Sequence, residues 1–200
     1  MGCDMKKTGI LKFGLFALAV AGMVTAMAPQ KAAAQGIFSS VFGGGGGWQS
    51  GRQVVPFTTR YGVRVIVVSL GDRRLYYVHR KGQAISYPIG VPTGRAMWTG
   101  VQRVSQKRVN PPWTPTAQMR RENPKLPAHV RGGDPRNPLG VRALYLGSTL
   151  YRIHGTDAPW TVGRNVSRGC IRLYNNDIID LYNRTRVGTK VIVTHRRIMG

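Results

Sequence analysis

The chain has 200 residues, 42% of them hydrophobic, enough for one globular domain with a buried core and some additional chain. Thirty Lys and Arg stand against seven Asp and Glu, a formal net charge of +23, which excludes an acidic disordered segment and suits an anionic partner such as a nucleic acid, a membrane surface or a wall polymer. Glu122 is the only glutamate, which argues against a two-carboxylate glycosidase, and two cysteines exclude a multi-bridge disulfide scaffold or an all-cysteine zinc site.

The N-terminus reads as an address. Lys6, Lys7 and Lys12 form a basic segment, Phe13 to Ala28 an apolar one, and Ala32-Ala33-Ala34 a small-residue cleavage pattern, so residues 1–34 are expected to be a secretory signal peptide. The apolar stretch is short for a bilayer span of about 20 residues, which favours cleavage over anchoring. Cys3 precedes that stretch, where a lipoprotein cysteine would have to follow it. Losing residues 1–34 leaves 26 basic and 6 acidic residues, net +20, and one cysteine, Cys170, which cannot form an internal disulfide. Residues 35–54, with five consecutive glycines at Gly43 to Gly47, read as a flexible linker.

Residues 55–197 carry the domain, and its signals are mainly β. Val63 to Leu70 is a β-branched apolar run, and Leu75 to His79 follows after the turn Gly71-Asp72. Ala84 to Ile89, Val101 to Val109, Ala143 to Leu146, Leu150 to His154 and Thr189 to Thr194 are further expected strands. One late α-helix starts near Asn175, with Asn175 or Asn176 as its cap, Asp177 and Asp180 suited to its first turn, and Ile178, Leu181 and Tyr182 on one face. Residues 110–138 hold seven of the twelve prolines and a short helical stretch near Ala117 to Arg121. This insertion reads equally as a stiff lid or as a solvated loop.

The chemistry concentrates in His154-Gly155-Thr156 and in Ser167-Arg168-Gly169-Cys170-Ile171-Arg172. A thiol becomes a nucleophile when a base takes its proton and cations hold the thiolate. His154 is the expected base, and Arg168 and Arg172 are expected to lower the Cys170 pKa. In an extended segment Cys170 and Arg172 share a face, while Gly169 permits close backbone approach and N–H groups beside it can form an oxyanion hole. No S-x-x-K, G-x-S-x-G, H-E-x-x-H or C-x-x-C pattern occurs. His154 and Asp157 could begin a zinc site, but no second close pair completes it.

These residues resemble the signature of the L,D-transpeptidase catalytic domain family (YkuD-like), in which His-Gly is followed by Ser-His/Arg-Gly-Cys-x-Arg. The likeness runs from about Val63 to Val193, includes Thr99-Gly100, Asn110-Pro111 to Pro115 and Asn137-Pro138-Leu139-Gly140, and is greatest to the branch from Gram-negative bacteria. The resemblance implies a single β-sandwich or barrel-like domain with Cys170 as nucleophile, His154 as base and the Gly155 carbonyl orienting that base. It implies that Arg172, with Arg168, Gly169 and Ser167, binds substrate. Many family members have His where this chain has Arg168, so His154 is left as the local base.

The implied reaction is attack by Cys170 on the bond between the diamino acid and D-Ala of a peptidoglycan tetrapeptide stem, release of D-Ala, and acyl transfer to an amine. The acceptor would be a second stem, giving a 3–3 cross-link, or an outer-membrane protein. The resemblance implies no metal or organic cofactor, a periplasmic location and acylation by carbapenems. Export removes the chain from nucleic acid, and the membrane would be met only through the signal peptide. The alternatives are a hydrolytic L,D-carboxypeptidase or amidase of the same fold, and a non-catalytic cationic wall-binding module.

Overall fold

The computed structural model describes residues 50–58 and 60–199. The expected signal peptide and most of the linker lie outside the described residues. The strands in chain order are β1 (Gln53–Pro56), β2 (Ile66–Ser69), β3 (Arg74–Arg80), β4 (Gln83–Pro88), β5 (Val91–Pro92) and β6 (Gly100–Val109). Then come β7 (Arg142–Leu146), β8 (Arg152–His154), β9 (Asn165–Ser167), β10 (Ile171–Arg172) and β11 (Lys190–Thr194). The helices are α1 (Ala117–Glu122) and α2 (Asn175–Arg184).

Among the described residues, nine strands form one sheet in the order β1-β4-β3-β2-β11-β6-β7-β8-β10. β2, β3 and β4 are an antiparallel meander, and β11 lies parallel to β2 and antiparallel to β6. β6 serves both halves of the sheet. Its first residues, Gly100 to Arg103, pair with β11, and from Val104 it pairs with β7, with a register shift between Val104 and Gln106. Such an irregularity sharpens the local twist, so the sheet can curl there.

The run Val65 to Val68 is apolar throughout because both faces of β2 are covered. Ile66 and Val68 enter the main core with Leu75, Leu144, Ile153, Ile171 and Val191. Val67 enters a smaller cluster with Phe57, Tyr76, Val78 and Ala84 on the other face. Strict alternation is the mark of a half-buried strand, and β2 is not one.

The expected mainly β architecture with one late helix is the one observed, and the helical stretch in the insertion is α1. Three details differ. Gln53 and Val54, assigned from sequence to the linker, belong to β1 at the sheet edge. They are held because Asp177 of α2 accepts from Ser50 Oγ at 2.5 Å and from the Gly51 N–H at 3.1 Å. Tyr174, rather than an asparagine, occupies the cap of α2, without a side-chain bond. Asp180 sits beyond the first turn and accepts from the Tyr87 hydroxyl at 2.6 Å and from Arg184 Nε and Nη2, each at 2.9 Å.

Candidate active site

β8 places the base. Ile153 is buried in the core, so the flanking Arg152 and His154 project to the opposite face. His154 is 3% exposed, and its Nδ1 lies 2.5 Å from the Gly155 carbonyl oxygen. A carbonyl only accepts, so Nδ1 carries the hydrogen and Nε2 is left with a lone pair. Burial, then the nearby Arg172 and Arg152, push the imidazole pKa down to about 3, against the pull of the Gly155 bond. The ring is therefore neutral at physiological pH.

Asn175, one of the two residues expected to cap α2, instead fixes the loop that follows His154. Its Oδ1 accepts from the N–H of Thr156 at 3.1 Å and of Val141 at 3.4 Å, and its Nδ2 donates to the Thr156 carbonyl at 3.0 Å. A β-carbon at Gly155 would collide with that amide, which explains the glycine after the histidine.

The segment before β10 presents the thiol. Ser167 is buried, and its hydroxyl donates to the Cys170 carbonyl at 2.5 Å and accepts weakly from the Gly169 N–H at 3.4 Å. Gly169 has φ +124°, and a β-carbon there would lie 2.5 Å from the Tyr151 ring. Trp98 stacks on Tyr151 with ring centroids 4.5 Å apart and donates Nε1 to the Gly169 carbonyl at 2.7 Å. These two aromatics went unnoticed in the sequence because they come from distant segments. The half-buried Cys170 bonds the Leu150 carbonyl at 3.8 Å.

Cys170, His154, Arg152, Arg168 and Arg172 line one cavity of about 660 Å³. Ser167 also contributes to its wall. The opposite wall comes from the proline-rich insertion, through Trp113, Thr114, α1 residues Ala117 to Met119, and Pro138 with Leu139. The insertion is thus ordered against the site. Buried Asn137 ties its ends, donating to the Pro111 carbonyl at 2.8 Å and the Arg131 carbonyl at 3.0 Å.

The charges fall differently from the sequence expectation. Arg168 forms an ion pair with Glu122 at the end of α1. The cations acting on Cys170 are Arg152 and Arg172, and burial outweighs them, so the resting thiol has a raised pKa. The expectation that Arg168 and Arg172 lower the thiol pKa is therefore corrected: Arg172 acts in that direction, Arg152 takes the place of Arg168, and burial outweighs both. Sequence adjacency put Arg168 beside the sulfur, whereas the fold turns it toward Glu122 of the proline-rich insertion.

The family model of the L,D-transpeptidase catalytic domain (YkuD) matches residues 63–193, which include every residue of this constellation. The chain belongs to the L,D-transpeptidase catalytic domain family. The chain is similar to the probable L,D-transpeptidase ErfK/SrfK of Escherichia coli strain K12, 44% identical over 147 residues, covering 69% of this chain and 45% of the relative. A second similar protein is the putative L,D-transpeptidase in the ATP synthase subunits region of Fuscovulum blasticum, 32% identical over 94% of this chain and 97% of the relative. The chain spans about half the length of the enterobacterial relatives it matches. Its fold is that of the catalytic domain of the E. faecium L,D-transpeptidase, with a TM-score of 0.51 at 19% identity over 68% of this chain and 100% of that one. Among the described residues, no helix is long and apolar enough to cross a membrane.

Proposed function

We propose that the chain is an exported, cysteine-dependent peptidoglycan L,D-transpeptidase. The observation that carries this reading is the tautomer lock: the Gly155 carbonyl holds Nδ1–H of a buried neutral His154, so Nε2 serves as base in the cavity that contains Cys170. The Cys170 S–H proton passes to Nε2 as sulfur attacks the carbonyl between the stem's diamino acid and D-Ala. The Cys170 backbone N–H supports the developing oxyanion. His154 returns the proton to the leaving amine, D-Ala departs, and a thioester remains on Cys170. An incoming amine, losing its proton through His154, attacks the thioester and restores the thiol.

Arg172 fits the donor stem. It pairs with His154 across β10 and β8, lines the cavity, and has a buried Nε without an acceptor among the described residues. A stem carboxylate would satisfy a guanidinium there through parallel hydrogen bonds. Gly169 and Ser167 serve by shaping the segment that aims the thiol. Export to the periplasm, the leader in residues 1–34 and the choice between a stem, an outer-membrane protein and water as acceptor belong to the same proposal.

Cys170→Ala should melt like the parent and release no D-Ala from tetrapeptide fragments, and a carbapenem should add once to the parent and not to the variant by intact mass. D-Ala release by the variant would overturn the reading, and an unmodified parent under prolonged excess drug would count against it. Mass analysis of the parent's products separates a 3–3 dimer from a trimmed tripeptide.

A further inference from the structure

Arg152 lies two residues before His154 on the same face of β8 and lines the same cavity. β10 begins its pairing at Ile171 opposite Ile153, so the Arg152 backbone has no strand partner on that side and faces the segment that holds Cys170. The Arg152 Nη1 reaches the Leu150 carbonyl at 3.4 Å, and the Cys170 sulfur reaches that same oxygen at 3.8 Å. Guanidinium and thiol thus converge on one acceptor. The guanidinium is held in this position by Tyr145, its cross-strand neighbour on β7, with the cation 4.9 Å from the ring centroid.

One donor of this group is unspent. Arg152 Nε is buried and has no acceptor among the described residues. A buried cationic donor left empty is costly, and such groups call for an explanation. The Leu150 oxygen accepts the S–H while the thiol is protonated and keeps only the long Arg152 Nη1 contact once the proton leaves, so the sulfur is then free to turn to the unspent guanidinium donor.

We propose that Arg152 is the cation that receives the Cys170 thiolate: when the S–H proton moves to His154 Nε2, the sulfur exchanges the Leu150 carbonyl for the Arg152 guanidinium and backbone N–H. No bond other than S–H is broken in this step, and the negative charge stays on sulfur until it attacks. Among the described residues lining the cavity, the other charged or titratable groups are Arg172 on β10, His154 on β8 and the Tyr151 phenol, while Arg168, in the loop between β9 and β10, is engaged by Glu122 of α1. The electrostatics agree in direction, because both the backbone and the side chain of Arg152 act on the sulfur so as to favour its charged form.

The inference rests on Cys170 being the reacting thiol, and the test separates the two. Alkylation of Cys170 by iodoacetamide is followed by intact mass from pH 6 to 10, with thermal melting alongside. Arg152→Gln should shift the profile to higher pH and slow alkylation at pH 8 by about tenfold, the equivalent of one pKa unit. Arg152→Lys, which keeps the charge but cannot spread over the Tyr145 ring, should stay near the parent profile. A folded Arg152→Gln chain that alkylates like the parent overturns the inference. So does an Arg152→Lys chain that shifts as far as the Gln variant, since packing rather than charge would then be the cause. An active Cys170→Ala enzyme would remove the thiol mechanism itself, whereas an inactive one beside an unshifted Arg152→Gln profile removes only the role of Arg152.

Discussion

A buried histidine that refuses a proton leaves a thermodynamic trace. The His154 pKa falls from an unfolded value near 6.5 to about 3 in the fold. Between those values the unfolded chain binds a proton that the folded chain does not, so stability falls as pH drops from about 6.5 toward 3. The contribution is on the order of a few kcal/mol at the acid end. His154→Gln should flatten this part of the curve. The check is the difference in melting temperature between parent and variant at pH 7.5 and pH 4.5, in which the carboxylates common to both cancel. Equal acid losses in the two chains would mean that His154 is charged in the fold. The raised thiol and the depressed imidazole describe a neutral pair at rest, so the ionic pair forms only when the proton crosses during attack.

The short elements do the positioning, and they are the ones hardest to read from sequence. β5, β9 and β10 are two or three residues long, too short to show a period, yet β10 holds Arg172 beside His154 and β9 leads into the thiol segment. The long elements were legible because their β-branched runs and the amphipathic face of α2 persist for several residues. Cys170 and His154 stood out from their own chemistry and Gly155 from the resemblance, and the fold brings the first two to one cavity with the Gly155 carbonyl against the imidazole. Arg152 was not, although stepping back two residues along the strand from His154 would have placed it on the same face. The proline-rich insertion shows the same contrast. Its prolines announce stiffness, but its attachment through Glu122 and Arg168 is a meeting of segments far apart in the chain. Both side chains are half exposed, so the pair adds little to stability. Glu122→Gln should therefore melt within about 1 °C of the parent while raising the KM for tetrapeptide by severalfold and removing part of its salt dependence. An unchanged KM would show that α1 keeps its place without the pair.

At the scale of the whole molecule, the position of β11 governs the route to the fold. The middle strand of the sheet is the segment Lys190–Thr194, flanked by β2 on one side and β6 on the other. The meander β2-β3-β4 and the site-bearing strands β6-β7-β8 are joined within the sheet by this one strand. Contacts between β2 and β11 span more than a hundred residues, and closing so large a loop slows folding. A chain halted before residue 190 holds two unjoined sheet edges and should bind a hydrophobic dye and show no cooperative melt. Adding a peptide of residues 186–199 in trans should restore part of that cooperativity; a truncated chain that melts sharply unaided would contradict this. The proposed export would draw on the same feature: until Lys190–Thr194 is available the sheet lacks its central seam, and the chain stays in the unpacked form that a narrow secretion channel can thread.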